Sequence, residues 1–93
     1  MKSAYELAME RLQKQTPART LTDEQKAAIA EVEQMTQARI AEKELFLSEQ
    51  IAKARAAGQP GEAAAIEAQL AAERRRIRED GEAKKEKIRT AGS

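Results

Sequence analysis

The sequence predicts an all-α protein in which a short N-terminal helix precedes a long antiparallel helical hairpin. Its 93 residues are 35% charged and 41% hydrophobic, with one Phe, one Tyr and no Trp, a composition typical of long exposed helices. The only Gly/Pro cluster, Gly58-Gln59-Pro60-Gly61, separates two long segments free of proline, 18–57 and 62–93. All six isoleucines lie in these segments, in two series with a step of eleven residues: Ile29, Ile40 and Ile51, then Ile66, Ile77 and Ile88.

This eleven-residue (hendecad) step predicts how the two segments pack. Eleven residues make three helical turns at about 3.67 residues per turn, so each series forms a nearly straight apolar stripe, as in a coiled coil with little supercoil. If the chain folds back at the cluster, Ile51 meets Ile66 and Ile40 meets Ile77, because both pairs of residue numbers sum to 117. A turn centred on Gln59-Pro60 shifts the pairs by a residue or two. We interpret the stripe as a packing seam and not as a ligand channel.

The first helix is expected at about 4–15. Ser3 and Glu6 have the spacing of a capping box, and Pro17 disfavours helical geometry in the residue before it. Its apolar side carries Tyr5, Met9 and Leu12. We expect this side to fold back over Val32 and Met35 of the second helix.

The second helix is expected at about 23–57 and the third at about 62–90, within one domain spanning 1–93. Thr22 and Gln25 form a second capping box, and nothing between Asp23 and Ala57 breaks a helix about 52 Å long. The turn is predicted at 58–61, with Gly58 left-handed just past the helix end. Across the hairpin Gly81 falls opposite Thr36, where two small residues permit a close approach or leave room for another molecule.

Charge is balanced over the whole chain but not along it. There are 17 basic and 16 acidic residues, a net charge of +1, so no global field favours nucleic acid, membrane or an acidic substrate. A basic run in the third helix faces an acidic stretch of the second, and we expect Glu44 to lie near Arg74 and Glu33 near Lys84. If part of the run stays free of such pairs, it is a candidate nucleic-acid site: Arg74, Arg75, Arg76 and Arg78.

The residue types needed for most protein chemistry are missing. The chain has no His and no Cys, which excludes zinc sites with nitrogen or sulfur ligands and nucleophiles that depend on histidine. Acidic pairs such as Glu42 and Glu44 point about 200° apart on a helix and cannot share one substrate. We therefore expect no enzymatic activity, no catalytic residue, no metal and no cofactor.

Apolar residues outside the seam predict a protein interface. Phe46 lies beyond the reach of the first helix, and Leu45 is expected on the other flank of the seam. Many alanines surround the turn, which either fill exposed helix or permit close packing of another chain. The candidate interface residues are Met35, Leu45, Phe46, Ala68 and Ala72.

A structural or protein-interaction module that forms a homodimer is the favoured function, although an unidentified protein partner would also fit. The alternative is a small nucleic-acid-associated hairpin.

Three segments carry a family resemblance: Met1–Leu12, Leu21–Lys26 and Ile40–Leu47. They resemble segments of short, uncharacterised bacterial helical (coiled-coil) proteins, and the likeness implies no activity, ligand or site residue. No stretch reaches the roughly 20 apolar residues needed to span a bilayer, and the opening residues lack the apolar run of a secretory signal. A cytoplasmic location without membrane insertion is expected.

Overall fold

The computed structural model describes residues 3–15 and 20–91, with the side chains of 12–15 left out. This part of the chain forms three α-helices and no strand: α1 at Ala4–Gln15, α2 at Asp23–Ala56 and α3 at Pro60–Ala91. α2 and α3 pack along each other, so the predicted short helix and antiparallel hairpin are confirmed. Pro17 and the side chain of Leu12 lie outside the described residues.

α2 begins at a complete capping box. The Oγ1 atom of Thr22 accepts a hydrogen bond from the amide of Gln25 at 3.0 Å, and the Thr22 amide donates to Oε1 of Gln25 at 2.9 Å. The same Gln25 side chain donates through Nε2 to the carbonyl oxygen of Ile88 at 3.0 Å. One cap therefore satisfies the first turn of α2 and also ties it to the last turns of α3.

The connection between α2 and α3 is shorter than predicted. Gly58 has a positive φ of 71°, and two backbone bonds close the end of α2: Gln59 N to Ala54 O at 2.9 Å and Gly58 N to Arg55 O at 3.1 Å. This is the Schellman pattern. The predicted turn at 58–61 is wrong at its far end, because α3 already begins at Pro60. Proline suits a first helical position, where its missing N–H has no partner to lose.

The isoleucine stripes meet as predicted. Ile51 and Ile77 are buried, Ile66 packs against the core, and the remaining isoleucines are half-buried. The buried apolar residues are Leu47, Ile51, Ala54, Ala63, Leu70 and Ile77. All but Ile77 form one cluster in the half of the hairpin nearer the turn.

Gly81 is buried against Thr36, as the mirror pairing predicts. A Cβ atom at position 81 would lie 2.5 Å from Thr36 Oγ1 and 3.2 Å from its Cγ2. The Thr36 hydroxyl is held in place because it donates to the Val32 carbonyl oxygen at 2.7 Å. The helices approach so closely here that only glycine fits without movement of Thr36.

α1 does not cover α2 as predicted. Tyr5 is 73% exposed, Met9 41% and Met35 59%, while Val32 is half-buried. The prediction that Tyr5 and Met9 shield Met35 is therefore wrong. A helix of only 12 residues offers little burial to offset the entropy of docking it.

Candidate interaction surface

One side of the hairpin carries the exposed apolar side chains of α2. On a helical wheel Phe46 lies about 100° from the seam residue Leu47, and Met35, eleven residues earlier, points in nearly the same direction. On α3, Ala72 and Ala83 lie about 120 to 140° from Ile77 in the same rotational sense. Because the helices are antiparallel, the same sense means the same side. We call this side the Phe46 face, defined by Met35, Phe46, Ala72 and Ala83.

The Phe46 face is open to solvent. Phe46 is 60% exposed and Met35 59%, and Ala72 and Ala83 are exposed as well. Two large apolar side chains on α2 therefore stand beside two small ones on α3. Scattered single apolar residues are normal on a protein surface, but here both lie on one side of a two-helix hairpin at the eleven-residue step.

The five predicted interface residues do not form one patch. Met35, Phe46 and Ala72 share the Phe46 face. Leu45 is 72% exposed and lies about 200° from Leu47, on the back of α2 and not on a flank of the seam. Ala68 is also exposed and lies about 180° from Ile77, on the back of α3. The structure thus brings three of the five together.

An ionic cluster lies on the Phe46 face between the levels of Met35 and Phe46. The Asp80 carboxylate accepts from Arg39 across the hairpin at 2.9 Å and from Lys84 along α3 at 3.2 Å. The hydrogen bond from Lys84, then that from Arg39, lowers the pKa of Asp80 below its usual 3.8. The cluster links α2 to α3 at the edge of the seam.

The opposite side of the hairpin is held by polar pairs. Arg74 Nε donates to Glu44 at 3.0 Å, as predicted. Glu33 pairs with Lys85 at 3.4 Å, whereas the predicted partner Lys84 turns to Asp80. Lys85 also contacts Glu82 at 3.0 Å, and this bond raises the pKa of Lys85 and lowers that of Glu82. The sum of the residue numbers shows which residues lie at the same level, meaning the same position along the hairpin axis. It does not show the direction in which each side chain points, which changes by about 100° per residue.

An open groove of about 570 Å³ runs along this polar side. Gly81 and Ile40 form its floor, and its walls carry charges of both signs, including Glu33, Arg78 and Lys85. Most of these charges already pair with each other. The groove therefore offers neither a single-sign field for a charged ligand nor an enclosed apolar cavity for a small molecule.

The basic run of α3 does not form one continuous track. Arg74 is bound to Glu44. Arg75, Arg76 and Arg78 are exposed, and among the described residues none of them forms an ion pair. Arg76 lies on the Phe46 face, Arg78 on the polar side and Arg75 near the back of α3, about 60° from Arg78. Arg74, Arg75 and Arg78 line one open groove together with Glu79 and Glu82, so acids interrupt the basic surface there.

Residues 3–15 and 20–91 contain no cluster of three or more Asp or Glu side chains arranged to hold a metal ion. None of their helices is long and apolar enough to cross a bilayer.

No family model, curated protein or solved structure matches this chain. The exposed surfaces of the hairpin are therefore the features that bear on function. Sequence reasoning missed Ala83 as a surface residue, although the signal is visible: Ala83 follows Ala72 by eleven residues, the same step that marks the isoleucines.

Proposed function

We propose that this protein is a non-enzymatic interaction module that self-associates through the Phe46 face, with a homodimer as the favoured assembly. The observation that carries the proposal is the 60% exposure of Phe46, the one phenylalanine of the chain, on the same side of the hairpin as the 59% exposed Met35. Aromatic side chains dominate the energetics of protein interfaces. Because the hairpin leaves most of the Phe46 side chain exposed to water, another chain is needed to bury it.

The shape of the molecule supports a further partner. A compact chain of 93 residues has a radius of gyration of about 12 Å, whereas this chain has 21.5 Å and extents of 70 × 29 × 17 Å. Its accessible surface is 7462 Å², against about 5,400 Å² for a compact monomer of this mass. The excess is more than twice the roughly 800 Å² that each partner buries in a standard interface. Association would recover burial that a single hairpin lacks.

A second copy of the chain is the favoured partner on general grounds as well. Most soluble oligomers are symmetric homo-oligomers, and two-fold dimers are the commonest. Two helical hairpins that share an apolar side make a four-helix bundle, a common all-α architecture.

Replacing Phe46 with glutamate tests the proposal. The wild-type protein is expected to have twice its chain mass of 10.3 kDa in light scattering. Phe46→Glu should shift it to the single-chain mass, because a buried, unpaired carboxylate costs several kcal/mol. Ser48→Glu is the matched control, since it adds the same charge at an exposed position on the polar side of α2. A dimer that persists in Phe46→Glu contradicts the proposed surface.

A further inference from the structure

We infer that the second copy packs on the Phe46 face about a two-fold axis parallel to the helices. In this arrangement both turns lie at the same end, and α2 of each copy lies on α3 of the other. The inference rests on the proposed self-association and specifies its geometry. It is argued from the register of the hairpin, from the side chains on the Phe46 face and from their charges.

The axis fixes the register between the copies. A rotation about an axis parallel to the helices moves no residue along them, so each level in one copy meets the same level in the other. The hairpin itself shows which residues share a level. Thr36 and Gly81 lie opposite each other, with numbers that sum to 117, and Glu44 with Arg74 sums to 118. Residues of α2 and α3 whose numbers sum to 117 or 118 therefore meet across the proposed interface.

The apolar side chains of the Phe46 face obey this rule. Phe46 shares a level with Ala72, and Met35 with Ala83, since both pairs sum to 118. Each large side chain of α2 therefore meets an alanine on α3 of the second copy, which leaves room for it. The two contacts repeat after eleven residues, about 16 Å along the bundle. A large residue opposite a small one is the packing that lets facing helices interdigitate.

Two acid–base pairs among the exposed charges of the face follow the same rule, whereas Lys53, also on this face, shares a level with alanines. Glu42 shares a level with Arg76, and Glu31 with Lys87, both with a sum of 118. All four side chains are exposed, and within the described residues none of them has an ion pair. Stacking the copies sets both of these acids of α2 opposite bases of α3. Such complementarity selects a register and excludes others.

The other two-fold arrangement is unfavourable. In that arrangement the two-fold axis is perpendicular to the helices, and Met35 of one copy meets Phe46 of the other. The same axis places α3 of one copy against α3 of the other. Arg76 would then lie beside Arg76 of the second copy, and like charges in an interface cost several kcal/mol. Only the parallel axis places both the apolar and the charged pairs favourably.

Charge reversal tests the arrangement. Glu42→Arg and Arg76→Glu, each alone, should weaken the dimer at least about tenfold in sedimentation equilibrium, because each sets like charges opposite one another twice per dimer. The double variant restores opposite charges and should return the dissociation constant to near the wild-type value. Arg75→Glu is the matched control, because it makes the same change one residue away, near the back of α3. Circular dichroism checks that every variant keeps its helices.

The outcomes separate the arrangement from the proposed function. A wild-type dimer unaffected by the single reversals, or not restored by the double variant, overturns the arrangement and leaves self-association standing. A wild-type monomer at all concentrations overturns both.

Discussion

At the scale of single residues, the charged side chains at the edge of the seam do more than solubilise the helices. Asp80 accepts bonds from Arg39 on α2 and from Lys84 on its own helix, and its pKa is lowered as a result. The sequence predicted that the acidic stretch of α2 faces the basic run of α3, and the Glu44–Arg74 pair confirms it. It misassigned the partner of Glu33, because one residue along a helix changes both the level and the direction of a side chain.

Asp80 makes the stability of the hairpin dependent on pH. A carboxylate whose pKa is lower in the folded state stabilises the fold above its unfolded pKa and loses that contribution as the pH falls through its folded pKa. The melting temperature is therefore expected to fall as the pH drops below about 4, the ordinary pKa of an aspartate. Asp80→Asn should make this fall smaller, because the uncharged amide has nothing to lose on acidification.

Thermal unfolding followed by circular dichroism measures the effect. Glu79→Gln is the control, because Glu79 is an exposed acid of α3 that forms no ion pair with any described residue. Equal acid sensitivity in the wild type and in Asp80→Asn would contradict the role given to Asp80.

At the scale of elements, most of the hairpin could be predicted because its sequence pattern repeats along both helices. The isoleucine step of eleven identified both long helices and their antiparallel pairing, and Thr22 identified the start of α2. Gly58 was correctly predicted as left-handed. The start of α3 was wrong because Pro60 and Gly61 resemble a turn, although proline is equally suited to the first position of a helix.

The close approach at Gly81 predicts a specific cost for alanine. Gly81→Ala gains about 1 kcal/mol of helix propensity. It also places a methyl group 2.5 Å from Thr36 Oγ1, and overpacking of this kind costs about 1–3 kcal/mol. We expect a net loss of unfolding free energy in urea titrations.

Two further variants separate crowding from helix propensity. Thr36→Ala combined with Gly81→Ala removes the clashing atoms, so it should recover most of the loss. Gly61→Ala should be neutral or stabilising, because nothing lies within 4 Å of a Cβ at that position. A stabilising effect of Gly81→Ala in the wild-type background would show that the seam there is looser than described.

At the scale of the whole molecule, the sequence is a weaker guide. The composition indicated an extended helical protein, and the radius of gyration of 21.5 Å agrees with that. The predicted docking of α1 over Met35 was wrong. A helical wheel shows which side of a helix is apolar, but it does not show whether burying that side offsets the conformational entropy lost when the helix docks. The residues of the Phe46 face were predicted only in part, since Leu45 and Ala68 lie on the backs of their helices while Ala83 was missed.

The central claim is that a second copy lies along the Phe46 face with its turn at the same end. The chain has no cysteine, so Gln59→Cys places a single spin label on the exposed turn of each copy. Pulsed electron paramagnetic resonance measures the distance between the two labels. Our account predicts a distance within about 30 Å, set by the width of a four-helix bundle. A distance near 50 Å or more, about the length of α2, or no dipolar signal at all, would contradict it.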